Sequence, residues 1–149
     1  MTKLILSSFI FTVISTGIVQ AEPINPKQIK LAHDKVVVVS EPKYEPRSIG
    51  SFSLMLYKIY DSKYPYDNFV SGAVSERDGS VIKLLLKDLD KDKSEELIVF
   101  TQSAGSGSYI SAYAFKVQND RITSYLSING ETSSINTTLK SLLKKANKL

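Results

Sequence analysis

The 149-residue chain carries 19 basic and 15 acidic residues, a formal net charge of +4. The excess is small and scattered, so the chain lacks the clustered basic stripe that nucleic-acid-binding domains require. It contains no cysteine, and its fold must therefore be stabilised by apolar burial without disulfide bonds.

The first segment has the pattern of an export signal. One lysine near the start precedes an apolar stretch that ends at Val19, and Val19-Gln-Ala21 is a small-x-small sequence of the kind that signal peptidase cleaves. We expect residues 1–21 to be a Sec-type signal peptide cleaved after Ala21, and residues 22–149 to form one domain in the periplasm. A retained membrane anchor is the weaker interpretation, because no stop-transfer charges follow the stretch.

Near residue 50 the predicted mature chain changes from a proline-rich, charged segment to one with the alternation of a β-strand. Residues 22–47 contain four prolines and many charges, which predicts an irregular arm with one short strand at residues 36–39. Residues 52–60 then alternate with a period of two, and both faces of this predicted strand are largely apolar. A strand that is apolar on both faces is typical of an inner strand of a sandwich.

Two more alternating runs follow, at residues 69–76 and 81–87. Asp78-Gly79 lies between them. Because glycine tolerates the positive φ that tight turns need, this dipeptide predicts a hairpin that joins the two runs.

The next strands are separated by a longer connection. Residues 97–101 form a continuous apolar run, and residues 109–117 alternate. Asn119-Asp120 predicts a turn into a last strand at residues 122–128, which Asn129-Gly130 ends.

The tail has helical instead of strand periodicity. From Asn136, the predicted N-cap, apolar residues recur at helical spacing, and lysines fall in the last turns, where the helix dipole favours them. Together these elements predict an all-β fold, an antiparallel β-sandwich of about eight strands, with a short C-terminal helix.

The segment best suited to bind another molecule is the connection Ser103-Ala-Gly-Ser-Gly-Ser108, which Tyr109 follows. Glycines let a backbone approach another surface closely, and serine and tyrosine hydroxyls can donate hydrogen bonds to carboxylates. The alternative is an ordinary flexible hairpin. Catalysis is not supported, because Ser106 lies outside a Gly-x-Ser-x-Gly elbow and the only histidine, His33, lies in the arm. We therefore predict no enzymatic activity and no cofactor.

An acidic segment resembles a calcium loop only in part. Asp88, Asp90 and Asp92 occupy its first, third and fifth positions, but Lys93 stands where glycine is required and Val99 where a bidentate glutamate is required. Aspartates that cap their own turn explain the pattern more simply, so we predict no metal site. A calcium-dependent module stays open as an alternative.

A group of tyrosines offers a different function. Tyr57, Tyr60, Tyr64 and Tyr66 predict either an interaction surface or side chains packed beneath a loop. The interaction surface would suit a non-enzymatic periplasmic ligand-binding or envelope-structural β-module, which is the alternative to the function considered next.

The segments around the glycine-rich connection resemble a known family. Asp88-Leu-Asp90, the run from Val99 to Tyr109 and Ala112-Tyr-Ala-Phe115 are similar to the periplasmic inhibitors of invertebrate-type (i-type) lysozyme. The most specific part is a Ser-Gly-x-Tyr motif, here Ser106-Gly107-Ser108-Tyr109, in its position after an Asp-x-Asp turn. The resemblance covers most of residues 49–128.

The resemblance implies a small β-sandwich, a homodimer, and a loop that enters the substrate cleft of an i-type lysozyme. Ser106 and Tyr109 would then present hydroxyl groups to the catalytic carboxylates, while Gly107 lets the turn fit. The same comparison implies that Ser108 and Gly105 belong to the lysozyme-binding loop. It also implies a further contact from a basic residue on a neighbouring turn, which falls on Arg121. The expected partner is therefore i-type lysozyme, with no nucleic acid and no membrane after signal cleavage.

Overall fold

The computed structural model describes residues 26–148, so the predicted signal peptide lies outside the described residues. Within residues 26–148, no helix is long and apolar enough to cross a membrane. The described residues form eight strands and one helix: β1 (Lys27–Leu31), β2 (Lys35–Ser40), β3 (Ile49–Lys58), β4 (Phe69–Asp78), β5 (Ser80–Lys87), β6 (Glu96–Gln102), β7 (Ile110–Gln118), β8 (Arg121–Ile128) and α1 (Ile135–Ala146).

The strands form two antiparallel four-stranded sheets. The first sheet has the order β1-β2-β3-β4 and the second has the order β5-β6-β7-β8, so every paired strand is also a neighbour in sequence. The predicted sandwich of about eight strands with a short C-terminal helix is confirmed.

The second sheet is covered on both faces, which creates two apolar layers. One layer lies between the sheets and includes Phe52 and Leu54 from the first sheet and Val99 and Phe115 from the second. The other lies between the second sheet and α1 and includes Phe100 and other buried residues of the sheet, together with two residues of the helix, Leu142 and Ala146. The continuous apolar run of β6 follows from this arrangement, because alternate side chains of that strand fill the two layers.

Two details of the arm and the tail differ from the sequence prediction. The arm contains a second strand, β1, which pairs with β2. Its sequence Lys-Gln-Ile-Lys-Leu has only two apolar residues, both half-buried, so its strand signal is weak. The helix is capped by Ser134, whose hydroxyl accepts from the Thr137 backbone N–H, and not by Asn136, which lies inside the helix.

The predicted hairpin at Asp78-Gly79 is wrong. β4 and β5 belong to different sheets, and the chain crosses from one to the other at Gly79. Gly79 has a φ of +78°, and a Cβ there would lie 1.7 Å from the Gln102 carbonyl oxygen. Because Gly79 has no side chain, it allows the β4–β5 connection to turn and also to pack closely against the end of β6.

A buried arginine holds the crossing to the β2–β3 loop, residues 41–48. The guanidinium group of Arg77, a residue that is only 3% exposed, donates to the carbonyl oxygens of Ser51 (2.8 Å), Arg47 (3.1 Å), Pro46 (3.1 Å) and Gly79. Two carboxylates also approach it, those of Glu41 at 3.5 Å and Glu45 at 3.8 Å. These partners compensate the cost of burying the charge.

Replacing Arg77 with methionine should lower the free energy of unfolding by about 3 kcal/mol, because it leaves buried carbonyl and carboxylate oxygens without their donor. Chemical denaturation of the variant measures this loss. The matched control is Lys83→Met, at an exposed residue of the edge strand β5, which should change the free energy by less than about 0.5 kcal/mol. Equal stability of the two variants would contradict a stabilising role for Arg77.

Candidate functional site

The β6–β7 loop, residues 103–109, is closed by its own hydrogen bonds. The Ser103 backbone N–H donates to the Tyr109 carbonyl at 2.9 Å, and the Tyr109 N–H donates to the Ser103 hydroxyl at 3.0 Å. Within the loop, the Ser108 N–H donates to the Gly105 carbonyl at 3.0 Å and forms a tight turn. Ser108 adopts a φ of +45°, which is uncommon for a residue with a side chain. The loop is thus an ordered structure, unlike a flexible hairpin.

Tyr109 packs closely against two glycines, with its ring against Gly107 and its Cβ and backbone against Gly130. A Cβ at Gly107 would meet the ring at 2.5 Å, and a Cβ at Gly130 would meet the Tyr109 Cβ at 2.9 Å. The segment that follows β8 also holds the exit of the loop, because the Ile110 N–H donates to the Thr132 carbonyl at 2.8 Å. Sequence patterns identified Asn129-Gly130 only as a strand end. The close contact with Tyr109 is a tertiary feature that no local signal carries.

The tip of the loop presents hydroxyl groups to solvent. Ser106 is exposed together with Ala104 and Gly105, and Tyr109 is 50% exposed. Gly107 and Ser108 are half-buried beneath them. Ser106 and Tyr109 can therefore donate hydrogen bonds to acceptors on another molecule without unfolding any part of the protein.

The structure does not bring Arg121 together with this loop. Arg121 begins β8 and pairs with Gln118 at the end of β7, whereas the loop precedes the start of β7. Because a strand rises about 3.3 Å per residue, the length of β7 puts roughly 25 Å between them. Arg121 cannot contact the same pair of acceptor groups as Ser106, so any contact that it makes with a partner involves a different region of that partner.

No serine–histidine pair forms at the loop among the described residues. His33 is exposed in the β1–β2 turn, with a φ of +59°. That turn lies at the opposite end of the sandwich from the β6–β7 loop, because the strand pairing places the start of β2 beside the end of β3. His33 is therefore too far from Ser106 to activate it as a nucleophile.

The acidic segment between β5 and β6 already has a cationic partner. Carboxylate oxygens of Asp88, Asp90 and Glu96 lie within 4.8 Å of one another. The Lys116 ammonium group lies 2.5 Å from Asp90, 3.6 Å from Asp92 and 3.9 Å from Glu96. Its hydrogen bond holds the pKa of Asp90 below its usual range, while burial raises the pKa of Glu96. Lys116 comes from β7, so sequence spacing could not predict this partner.

The tyrosines form a partly exposed aromatic group on the first sheet. Tyr57 makes edge-to-face contacts with Tyr66 at 5.6 Å and Phe69 at 6.0 Å between ring centroids. Tyr60 and Tyr64 remain exposed. A shallow groove of about 380 Å³ lies beside Tyr57 and Tyr66. Some of these tyrosines pack against one another and others are exposed. The arrangement is therefore compatible both with an interaction surface and with side chains packed beneath a loop.

Lys116→Met should lower the melting temperature at pH 7 by several degrees, with the deficit shrinking as the pH falls below about 4, the ordinary pKa of an aspartate. Without the ammonium group, the folded-state pKa values of Asp90 and Glu96 rise. Because these pKa values are higher in the folded variant than in the folded wild type, the variant takes up protons at a higher pH. Acidification therefore destabilises the variant less than the wild type, and the difference in stability shrinks. Calorimetry across this pH range measures the effect.

Lys140→Met, on the exposed part of α1, is the control and should follow the wild-type pH profile. A constant deficit for Lys116→Met at every pH would show that packing, and not the ion pair, explains the loss.

Comparison with known proteins agrees with the fold. The family model described as periplasmic lysozyme inhibitor of I-type lysozyme matches residues 24–146. A crystal structure of PliI from Aeromonas hydrophila in complex with Meretrix lusoria lysozyme is similar to this chain, with 42% identity and a TM-score of 0.71. That match covers 79% of this chain and 94% of the other.

A second crystal structure, of PliI-Ah from Aeromonas hydrophila, shares 39% identity with a TM-score of 0.70 and covers 79% of this chain and 98% of the other. The comparison with curated proteins gave no match. The family match extends over most of the chain and agrees with the two structural matches. The chain therefore belongs to the family of periplasmic lysozyme inhibitors of I-type lysozyme.

Proposed function

We propose that this protein inhibits an i-type lysozyme by inserting the β6–β7 loop into the substrate cleft of the enzyme. The observation that carries the proposal is the loop itself: it is internally hydrogen-bonded, and both Ser106 and Tyr109 of the family's Ser-Gly-x-Tyr motif are exposed on it. Support comes from a 42% identical relative that was crystallised in complex with Meretrix lusoria lysozyme.

The chemistry of the cleft explains why such a loop would inhibit. Glycosidases of this type act through a pair of carboxyl groups that flank the scissile bond. The Ser106 and Tyr109 hydroxyls would donate to these groups, and the Tyr109 ring would fill part of the sugar-binding space. The loop contains no bond that the enzyme could cleave, and its order lowers the entropy cost of binding.

The test is the lysis of a Gram-positive cell-wall suspension by i-type, chicken-type and goose-type lysozymes, each with and without the mature protein. We expect selective loss of i-type activity. Tyr109→Ala should weaken the inhibition about a hundredfold, as truncation of an interface anchor does, and Ser106→Ala should weaken it about tenfold. Thermal melting must show that both variants remain folded.

Three results would contradict the proposal. The first is no effect on any lysozyme at micromolar inhibitor. The second is inhibition that survives both substitutions, which would move the binding surface away from the loop. The third is selective loss of chicken-type or goose-type activity alone, which would exclude an i-type target.

The proposal includes the cellular context of the protein. Residues 1–21 would direct export and be removed after Ala21, so that residues 22–149 act in the periplasm as one inhibitor domain without enzymatic activity, metal or cofactor. A homodimer, which the family resemblance implies, stays a prediction. Arg121 also stays a predicted contact, but at a second region of the lysozyme, because it lies at the other end of β7.

The order of the loop predicts unequal effects for its two glycines. Gly107→Ala should displace the Tyr109 ring in the free protein, because the new methyl group would lie 2.5 Å from a ring carbon. Gly105→Ala should leave the ring in place, since nothing lies within 4 Å of its Cβ position. NMR chemical shifts of the Tyr109 ring protons measure both outcomes. Unchanged shifts in Gly107→Ala would show that the ring does not rest against the glycine in solution.

A further inference from the structure

We propose that the end of the sandwich opposite the β6–β7 loop binds a zwitterionic amino acid with an apolar side chain, such as leucine. The binding site is a cavity of about 410 Å³ between the ends of the two sheets. Small-molecule sites have volumes of roughly 300–1,000 Å³, so the cavity is of suitable size. It shares no residue with the loop that is proposed to inhibit lysozyme.

Three chain connections meet at this cavity. The β1–β2 turn contributes His33, the β5–β6 connection contributes Lys93 and Glu95, and the β7–β8 turn contributes Asn119. These segments are far apart in sequence, and the antiparallel order of the strands brings them to the same end of the sandwich. The cavity is therefore a product of the fold, which no local sequence motif predicts.

The floor of the cavity is apolar. Leu31 of the first sheet and Leu86 and Val117 of the second lie at or near the ends of their strands and line the cavity. All three are half-buried and pack against the apolar layer between the sheets. A ligand with an apolar side chain would remove their remaining exposed area from water, which favours binding.

The charges around the cavity match those of a free amino acid. Two lysines and one carboxylate line it, and the Lys35 ammonium group already lies 2.5 Å from the Asp120 carboxylate. Within residues 26–148, neither Lys93 nor Glu95 forms an ion pair. One cation and one anion are thus left to pair with the carboxylate and the ammonium group of the ligand. A ligand of a single charge would meet one of them as a like charge.

Uncharged polar groups complete the lining of the cavity. The Ser94 hydroxyl, the Asn119 amide and the His33 imidazole belong to residues that line it, one from each connection. These groups can both donate and accept hydrogen bonds. An apolar floor with a few polar groups above it is the usual composition of a small-molecule site, where the polar groups fix the orientation of the ligand.

The test is an NMR titration of the isotope-labelled mature protein with leucine. We expect saturable shift changes in the backbone amides of the three connections. Three further probes each lack one feature of leucine: glycine lacks the apolar side chain, N-acetylleucine lacks the positive charge, and leucinamide lacks the carboxylate. Each should have a Kd at least about tenfold higher than that of leucine, the loss typical of one missing charged or apolar contact.

Two matched variants test the position of the site. Lys93 and Lys91 are both exposed, have φ values of +71° and +66°, and donate their backbone N–H groups to Asp88. Glycine keeps these bonds and tolerates this φ, so Lys93→Gly and Lys91→Gly should melt at or above the wild-type temperature. Lys93→Gly should raise the Kd for leucine at least about tenfold. Lys91 lies outside the lining of the cavity, so Lys91→Gly should leave the Kd within about twofold of the wild type.

Three results would overturn the proposed site. The first is the absence of saturable shifts at millimolar leucine. The second is equal affinity for leucine, N-acetylleucine and leucinamide, which would show that the two charges of the ligand are not recognised. The third is equal weakening by Lys93→Gly and Lys91→Gly, because binding would then not depend on the cavity. The titration uses the protein alone, so none of these results depends on the inhibition of lysozyme.

Discussion

The burial of β6 on both faces is the constraint on which the rest of the structure depends. Leu97 and Val99 face the first sheet, while Ile98 and Phe100 face the layer beneath α1. A strand placed in this way can move only if both layers are disrupted, so the end of β6 holds the start of the β6–β7 loop in a fixed position. The connection between the two sheets at Gly79 packs against the same end of β6. Rigidity at this end of the molecule therefore follows from the core.

A fixed loop suits an inhibitor because binding then depends on surface complementarity and requires little reorganisation. The loop closes its own backbone hydrogen bonds, which leaves its exposed hydroxyls available for a partner. At the opposite end of the sandwich, Lys116 pairs with carboxylates of the acidic segment. Ion pairs therefore stabilise both ends of the molecule, through Arg77 at the loop end and Lys116 at the other, and the loop end also presents the exposed residues Ser106 and Tyr109.

Local sequence patterns predicted most of the fold but not the contacts between distant segments. Alternation and turn residues identified seven strands, because each of these strands is largely apolar on the face that it buries. β1 was missed because it is short and only half-buried. Asp78-Gly79 was assigned to a hairpin because the dipeptide fits a tight turn equally well when the chain changes sheets. The loop motif was visible in sequence, whereas the Gly130 contact, the Arg77 network and the position of Arg121 depend on strand order, which local patterns do not specify.

The most direct test of loop insertion is competition for the lysozyme cleft. The Kd of the complex would be measured by calorimetry at increasing concentrations of an N-acetylglucosamine oligosaccharide that occupies the same cleft. If the β6–β7 loop enters that cleft, the two ligands exclude each other, and the apparent Kd rises in proportion to the oligosaccharide concentration once the cleft is saturated. Binding that is unchanged at saturating oligosaccharide would place the inhibitor elsewhere on the enzyme and contradict the account.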